Sequence, residues 1–371
     1  MSSKKIVLVG RYHDGNIPSA PIKVAQNLFD ELVKQNCDIT FIEYFVDGSR
    51  YNLLTKLFGE ETISTSSGGK ALRLGLLRFL ILLIKSNLDI IHIVNFERFP
   101  LVAFLLRPFL KYKIIYSIHG VSKYERAINA VKIKRTYLLK ENFSNFIYFS
   151  FSDKLLFLSK DSVKITSEFY KLRPDKIKIV ANGIAQCFSN AYKRRKKNID
   201  RTNKVVFVGD CGRKEKGLDF LLNVLNCTEI NLELFIVGSG YVKKNIYCHN
   251  KAINIYVFDR MDENELAEFY TDKDIFISTS LHDSFGMAPA EAMAAGLIPI
   301  VTKETGMSRY IENWENGFIV KYGDDLGILR ILKELSHNTE KLNNISQKAS
   351  EIYSILKWEK ISELYHNLYI T

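Results

Sequence analysis

The pattern that most constrains this chain is an alternation that runs twice and breaks once. In the first half, short β-branched runs alternate with amphipathic stretches. "KIVLVG" (5–10) is followed by a helical stretch over 20–35, "DITFIEY", a Ser- and Gly-rich loop over 50–69, a helix over 70–86 and "DIIHIVN". A helix over 97–110, "KIIYSIH", a helical stretch over 121–147, "KLLFLS" and "KIKIVAN" complete that half. The alternation restarts at "KVVFVG" and continues through "NLELFIVG", "INIYVF", "DIFIST", "LIPIVT" and "GFIV". Strand and helix in turn predict parallel sheets covered on both faces. Between the halves, "YKRRKKNIDRTNK" (192–204) is polar, basic and aperiodic, as linkers are. The expected organisation is a Rossmann-like domain over 1–190, a linker over 191–203, a second Rossmann-like domain over 204–350 and a C-terminal helix over 351–371. Ligands of doubly wound sheets sit at the C-terminal ends of the strands, here in a central cleft.

A length of 371 residues suits two such domains. The chain opens on a strand rather than a secretory signal. Its longest apolar stretch, "LRLGLLRFLILLIK", is interrupted by Arg73, Arg78 and Lys85 and is too short to span a bilayer. It reads as a buried helix, or as one lying on a membrane surface. Five scattered cysteines lack any CxxC spacing, and no HExxH occurs. A reducing cytoplasm and no structural zinc are therefore expected. The formal charge of +11 is uneven: residues 1–190 carry 28 Lys and Arg against 16 Asp and Glu, and the remainder carries 24 against 25. The excess suits an anionic partner of the first half, whether nucleic acid, an anionic membrane surface or a phosphorylated lipid, or else a basic surface with no partner.

The segment "DSFGMAPAEAMAAGLIPIV" (283–301) holds the most informative chemistry. Its helix is made of small apolar residues that pack tightly, so Glu291 needs a partner. Asp283 and Ser284 suit a helix cap, Gly286 admits a close ligand, and Pro289 is tolerated in a first turn. The N–H groups near Phe285, Gly286 and Met287 then form an anion site suited to phosphate. At ~1.5 Å of rise per residue, Gly286 to Glu291 spans roughly 7–8 Å. A diphosphate at the helix start would have a sugar on either side, each held by one carboxylate. The implied ligand is a nucleotide sugar, with its ribose on Glu291 and its hexose on Asp283.

Asp-x7-Glu followed by Ala-Met-Ala-x-Gly resembles the retaining GT-B glycosyltransferases of the family 4 type (glycosyl transferases group 1), whose usual motif is Glu-x7-Glu. "KVVFVGDCGRKEKGLDFLL" is similar to that family's second-domain opening, and the resemblance implies that Lys216 binds the diphosphate. Asp210 follows Gly209 where the family has arginine, which leaves Arg213 to supply the guanidinium. Gly209 and Phe258 are implied on the donor, with Phe258 at the base edge or in the core. "TKETGMSRYIENWENGFIV" resembles the Gly-Gly-x-x-Glu segment, with Gly306 in place of a glycine and Arg309 in place of the glutamate. In the first half, "SIHG" implies His119 against the donor sugar, and "GRYHDGNIPSAP" implies Gly15 over the diphosphate. His92 reads as a core or strand-end residue. "IVANGI" matches the family's Asn-Gly strand end, and "LKWEKISELYHNLY" its tryptophan-bearing helix that crosses back to the first domain.

The reaction so implied is transfer of a hexose or N-acetylhexosamine from an NDP-sugar, UDP rather than GDP, with retained anomeric configuration. His119, Asp283, Lys216 and Arg213 are the catalytic set, and the leaving diphosphate is stabilised electrostatically. No metal and no cofactor beyond the nucleotide sugar are expected. Lys123, Arg126, Lys132, Lys134 and Arg135 crowd one expected helix, whose face suits an acceptor or an anionic membrane at the cytoplasmic surface. A glycan or polyprenyl-linked acceptor in bacterial surface polysaccharide synthesis fits that picture, and nucleic acid does not. A nucleotide-sugar epimerase, a sugar phosphorylase and a non-catalytic nucleotide-sugar-binding protein are the competing readings.

Overall fold

Ile6, Val7, Leu8 and Val9 are all buried, and a strand hidden on both faces belongs in the middle of a sheet. The computed structural model describes residues 4–12, 19–45, 51–95, 98–195, 203–240, 246 and 248–370. It divides into two compact units, each with its own sheet. The chain thus has the α/β fold expected of it, two Rossmann-like domains built on parallel sheets.

The first unit comprises Met1–Val121, Val131–Gly183 and Trp358–Thr371. Its strands are β1 (Ile6–Val9), β2 (Ile39–Tyr44), β3 (Glu60–Ile63), β4 (Ala71–Leu74), β5 (Ile90–Ile93), β6 (Lys113–Ile118), β7 (Lys154–Phe157) and β8 (Ile177–Ile179). They run in the order β3-β4-β2-β1-β5-β6-β7-β8, all parallel except β3 against β4. The second unit comprises Ser122–Ala130 and Ile184–Lys357. Its strands are β9 (Asn203–Asp210), β10 (Leu232–Ser239), β11 (Ile253–Phe258), β12 (Ile275–Ser278), β13 (Ile298–Thr302) and β14 (Phe318–Val320), in the all-parallel order β11-β10-β9-β12-β13-β14. That is the order of a doubly wound sheet built from two mononucleotide-binding halves, and it reverses between β9 and β12. The helix Leu218–Leu225 shows how the layers close: Leu218, Leu221, Leu222 and Leu225 recur at helical spacing and are all buried. Each such leucine stabilises the fold by about 1.5–3 kcal/mol.

Four local readings change in the structure. The loop over 50–69 contains the helix Leu53–Phe58 and strand β3. The helix over 70–86 begins with β4, and only Leu76–Lys85 is helical. Arg73 made that run look amphipathic, yet it is buried in β4 by ion pairs to Glu43 on β2 and Glu61 on β3, each at 2.9 Å. The helix Leu76–Lys85 is also less buried than its composition suggests, since Ile81 and Ile84 are exposed. The stretch 121–147 is two helices, Ser122–Asn129 and Arg135–Phe151, separated at Ala130 by a left-handed backbone (φ 51°). The helix Gln186–Arg194 falls with the second unit, where Phe188 packs on Tyr270, and not with the residues before it.

The C-terminal helix Trp358–Ile370 returns to the first unit, burying Trp358, Ile361, Tyr365 and Tyr369. Its end reaches the core histidine: Tyr369 Oη lies 2.7 Å from His92 Nδ1, and Ser117 Oγ lies 2.8 Å from Nε2.

Candidate functional site

In the second unit, two loops leave neighbouring strands where the strand order reverses: 211–217 after β9 and 279–286 after β12. They press against each other. Gly217 has a left-handed backbone (φ +73°), and a Cβ there would stand 1.9 Å from the Thr279 carbonyl oxygen. Thr279 Oγ1 donates to the Gly217 carbonyl at 2.8 Å, and the Leu281 N–H donates to the Glu215 carbonyl at 2.8 Å. Only glycine admits this approach without strain.

That contact fixes the next residue back. Lys216 Nζ sits 2.8 Å from Asp283 Oδ2. Asp283 Oδ1 accepts the N–H groups of Gly286 at 2.8 Å and Phe285 at 3.2 Å. Two of the three N–H groups expected to be open to an anion are therefore taken by Asp283 itself. The helix begins two residues later than a cap at Ser284 would place it, with Gly286 (φ +89°) as its cap and Met287–Ala294 as its body. The cationic element of the site is thus the lysine head, paired with Asp283, more than the helix start. Gly306 is tied into the same loop, its N–H donating to the Asp283 carbonyl at 2.8 Å.

Burial alone would push Lys216 down, but the charge and hydrogen bond of Asp283 reverse this and hold it above the ordinary lysine value. Burial alone would push Asp283 up, but the charge and hydrogen bond of Lys216, helped by the Phe285 N–H, hold it below the carboxylate range. A depressed acid contributes stability above its unfolded pKa and loses it as pH falls through the folded one. Asp283→Asn should therefore cost a constant amount through neutral pH. The gap from wild type should close below about pH 4, as measured by denaturant titration across pH. A gap that persists in acid would show that the pair contributes nothing through its charge.

Arg213 is engaged differently. Its guanidinium pairs with Glu125 at 2.9 Å and also with Glu215. Burial opposes its charge, and these two acids hold its pKa up. Glu125 comes from the helix Ser122–Asn129, which belongs to this unit. The same helix gives Asn129 Oδ1 to the Lys214 N–H at 2.8 Å and sets Tyr124 edge-on to buried His282. Sequence reading missed Glu125, Glu215 and His282. Glu215 adjoins Lys216 and was within reach of inspection. For Glu125 no local pattern tells which unit its helix joins.

Glu291 is one and a half turns into the helix and 4% exposed, among Ala290, Ala292 and Met293, which are fully buried. The Tyr270 hydroxyl lies close enough that Glu291's charge adds to burial in raising its pKa. Phe285 is buried and Met287 half-buried. A Cβ on Gly209 would meet Phe207 and Lys216 at ordinary contact distances, whereas one on Gly238 of the next strand would stand 1.7 Å from the Gly209 carbonyl oxygen. Phe258 belongs to an aromatic group with Phe235 and Phe269 at the outer strand β11.

The remaining residues fall on the first unit, on one helix of the second, or outside the described residues. His119 follows β6; its ring nitrogens are buried without a hydrogen bond of ordinary geometry. Burial holds the ring at about 4, against a smaller upward pull from the Val94 backbone. Gly183 has a packing duty, because a Cβ there would stand 2.2 Å from the Trp358 ring. Gly15 lies outside the described residues. Lys123 and Arg126 sit on the helix of the second unit, whereas Lys132 and Lys134 precede, and Arg135 opens, the helix Arg135–Phe151 of the first. The single basic helix of the sequence reading is thus divided.

Comparison with known proteins agrees with this architecture. Residues 189–352 match the family model for glycosyl transferases group 1, and residues 23–185 match that for glycosyltransferase family 4. The N-acetyl-alpha-D-glucosaminyl L-malate synthase of Bacillus anthracis is 26% identical over 77% of this chain and 75% of its own. The capsular polysaccharide biosynthesis glycosyltransferase CapM of Staphylococcus aureus is 25% identical over 43% of this chain and 45% of its own. Among solved structures, sucrose-phosphate synthase from Thermosynechococcus elongatus superposes with a TM-score of 0.73 at 14% identity, covering 99% of this chain and 98% of the other. Anabaena HepE, crystallised with UDP and glucose, gives 0.68 at 16% identity over 99% and 100%. The fold is that of the GT-B enzymes.

Proposed function

We propose that this chain, which belongs to the group 1 glycosyltransferases, moves a hexose or N-acetylhexosamine from a UDP-sugar to a glycan or polyprenyl-linked acceptor with retained configuration. The observation that carries this reading is the Lys216–Asp283 pair at the strand-order reversal of a doubly wound sheet, with Glu291 in the helix that follows. Lys216 is the cation that receives the diphosphate, stabilising the charge that grows as the glycosyl bond breaks. Asp283, released from the lysine when phosphate arrives, accepts a hydroxyl of the transferred sugar. Glu291 accepts the ribose hydroxyls, and Gly306 and the helix start lie along the diphosphate. Arg213 is held by two acids and joins only if it leaves one of them. His119, neutral at physiological pH, meets the donor sugar. Retention proceeds by front-face attack, the leaving phosphate taking the acceptor proton, and it uses no divalent cation. The relative named for capsular polysaccharide synthesis supports a surface-glycan pathway, and the basic first half supports an acceptor at an anionic membrane surface.

Binding and slow hydrolysis of UDP-, GDP- and ADP-sugars in EDTA test this. One UDP-sugar should bind and release its nucleotide. Glu291→Ala should weaken that binding about 10–100-fold, the worth of hydrogen bonds to a charged acceptor. Binding without nucleotide release would make the chain a nucleotide-sugar-binding protein. No binding at millimolar concentration would remove the donor site from this loop pair.

A further inference from the structure

Four helices of the first unit pack in a row, Leu53–Phe58 on Leu76–Lys85, that on Leu101–Leu110, and that on Arg135–Phe151. Their exposed sides break the usual rule for a solvated surface. Leu53 and Phe58 are 72% and 54% exposed, and Ile84 is 57% exposed. Leu105 and Phe109, one helical turn apart, are 74% and 81% exposed. Phe143 and Phe146 continue the pattern on the last helix at 63% and 58%. Single exposed apolar side chains need no explanation, but a row of them across four adjoining helices does.

The charge on these helices is equally one-sided. They carry Lys56, Arg78, Lys85, Arg107, Arg135 and Lys140, and their one acid, Glu141, is buried. Arg78 and Arg107 answer acids from outside the row, Glu60 and Asp153. The helices Ala20–Lys34 and Trp358–Ile370 of the same unit, which pack on each other, carry Asp30, Glu31, Glu359 and Glu363. The absence of acid therefore belongs to the four-helix row and not to the unit at large. A recess of about 500 Å³ opens at Leu101–Leu110, with Phe104, Pro108 and Phe151 as its apolar wall and Arg107, Lys111 and Lys113 as its cationic rim.

We infer that this four-helix row is a docking surface for an anionic lipid bilayer, with the phenylalanines and leucines entering the headgroup boundary and the recess receiving a lipid phosphate. Apolar side chains interleaved with cations are what an interfacial surface needs, since each alone gives weak, reversible attachment. No helix of the described residues is long and apolar enough to cross a membrane, so contact through this row would be from one side. The surface shares only Arg135 with the basic stretch 123–135 of the sequence reading, which the fold divides between two units. It extends the proposed function by stating how a lipid-linked acceptor is approached.

Sedimentation of the full chain with vesicles tests the inference and requires no sugar donor. The chain should pellet with phosphatidylcholine vesicles containing phosphatidylglycerol and stay in solution with phosphatidylcholine alone. Phe109→Ser with Phe143→Ser should weaken binding at least about tenfold. Lys85→Gln and Lys140→Gln should each weaken it roughly fivefold, and added salt should act in the same direction. All four side chains are exposed, so the variants should fold and release nucleotide from a UDP-sugar in solution as wild type does. No pelleting with the anionic vesicles, or pelleting indifferent to both sets of variants, overturns the inference. So does a dimer in analytical ultracentrifugation that Phe109→Ser abolishes, because the row would then be a contact between copies. Vesicle binding with no nucleotide release would leave the docking surface standing and remove the transferase reading instead.

Discussion

Lys216→Met should lower nucleotide release from the donor by about 10²–10³-fold, the usual result of removing one preorganised electrostatic contact to a developing negative charge. The lysine head stands at 2.8 Å from Asp283, beside the glycine that locks its loop to the next. Arg213, from the same loop, is held between Glu125 and Glu215. The substitution also leaves Asp283 ionised with only the N–H groups of Phe285 and Gly286, at a side chain 23% exposed. A lost charged hydrogen bond there costs about 1.5–3 kcal/mol of stability. The two effects are separable. Lys216→Met with Asp283→Asn removes the uncompensated charge and should recover most of the stability, yet turnover should be at least as low as in the single variant, because Asp283 also holds the transferred sugar. Return of turnover with stability would mean that neither side chain serves the donor, and the diphosphate would need another cation.

This division of labour shows what the sequence could reveal. That Lys216 and the segment around Asp283 serve one site was expected from the family resemblance, and both do sit at strand ends, where doubly wound sheets gather their ligands. The helix start was misjudged because Asp283 was treated as a cap for helical N–H groups, whereas a positive-φ glycine shifts the start to Met287 and turns the carboxylate back on its own loop. Arg73 misled the reading of 70–74 for a related reason. A charge signals exposure until a partner is known, and its partner Glu43 lies 30 residues away on another strand. The helix Ser122–Asn129 is the hardest case. Its sequence is amphipathic, but its attachment to the second unit depends on Glu125 meeting Arg213 and Asn129 meeting Lys214 across more than 80 residues. No local periodicity encodes such contacts. What periodicity does encode, the two parallel sheets, was recovered, whereas the return of the C-terminal helix was expected from the family resemblance alone.

That returning helix has the largest consequence for stability. Ending the chain at Lys357 should prevent the first unit from folding, observable as loss of one cooperative thermal transition and rapid proteolysis of residues before 183. Trp358, Ile361, Tyr365 and Tyr369 are each at most 5% exposed, and Trp358 closes directly on Gly183. Losing four such side chains removes on the order of 6–12 kcal/mol, which is comparable to the whole stability of an ordinary domain. A milder variant isolates the polar end of the contact. Burial holds His92 at about 3, with His119 adding to the effect, so the imidazole is neutral at physiological pH. Each ring nitrogen then needs a partner, and Tyr369 and Ser117 supply them. Tyr369→Phe keeps the ring and its packing but leaves Nδ1 of His92 unpaired in a fully buried site. It should cost about 1–3 kcal/mol by denaturant titration, and Tyr369→Phe with His92→Phe should restore part of that loss. If the truncated chain keeps both transitions, the helix is an appendage of the first unit and not part of its core.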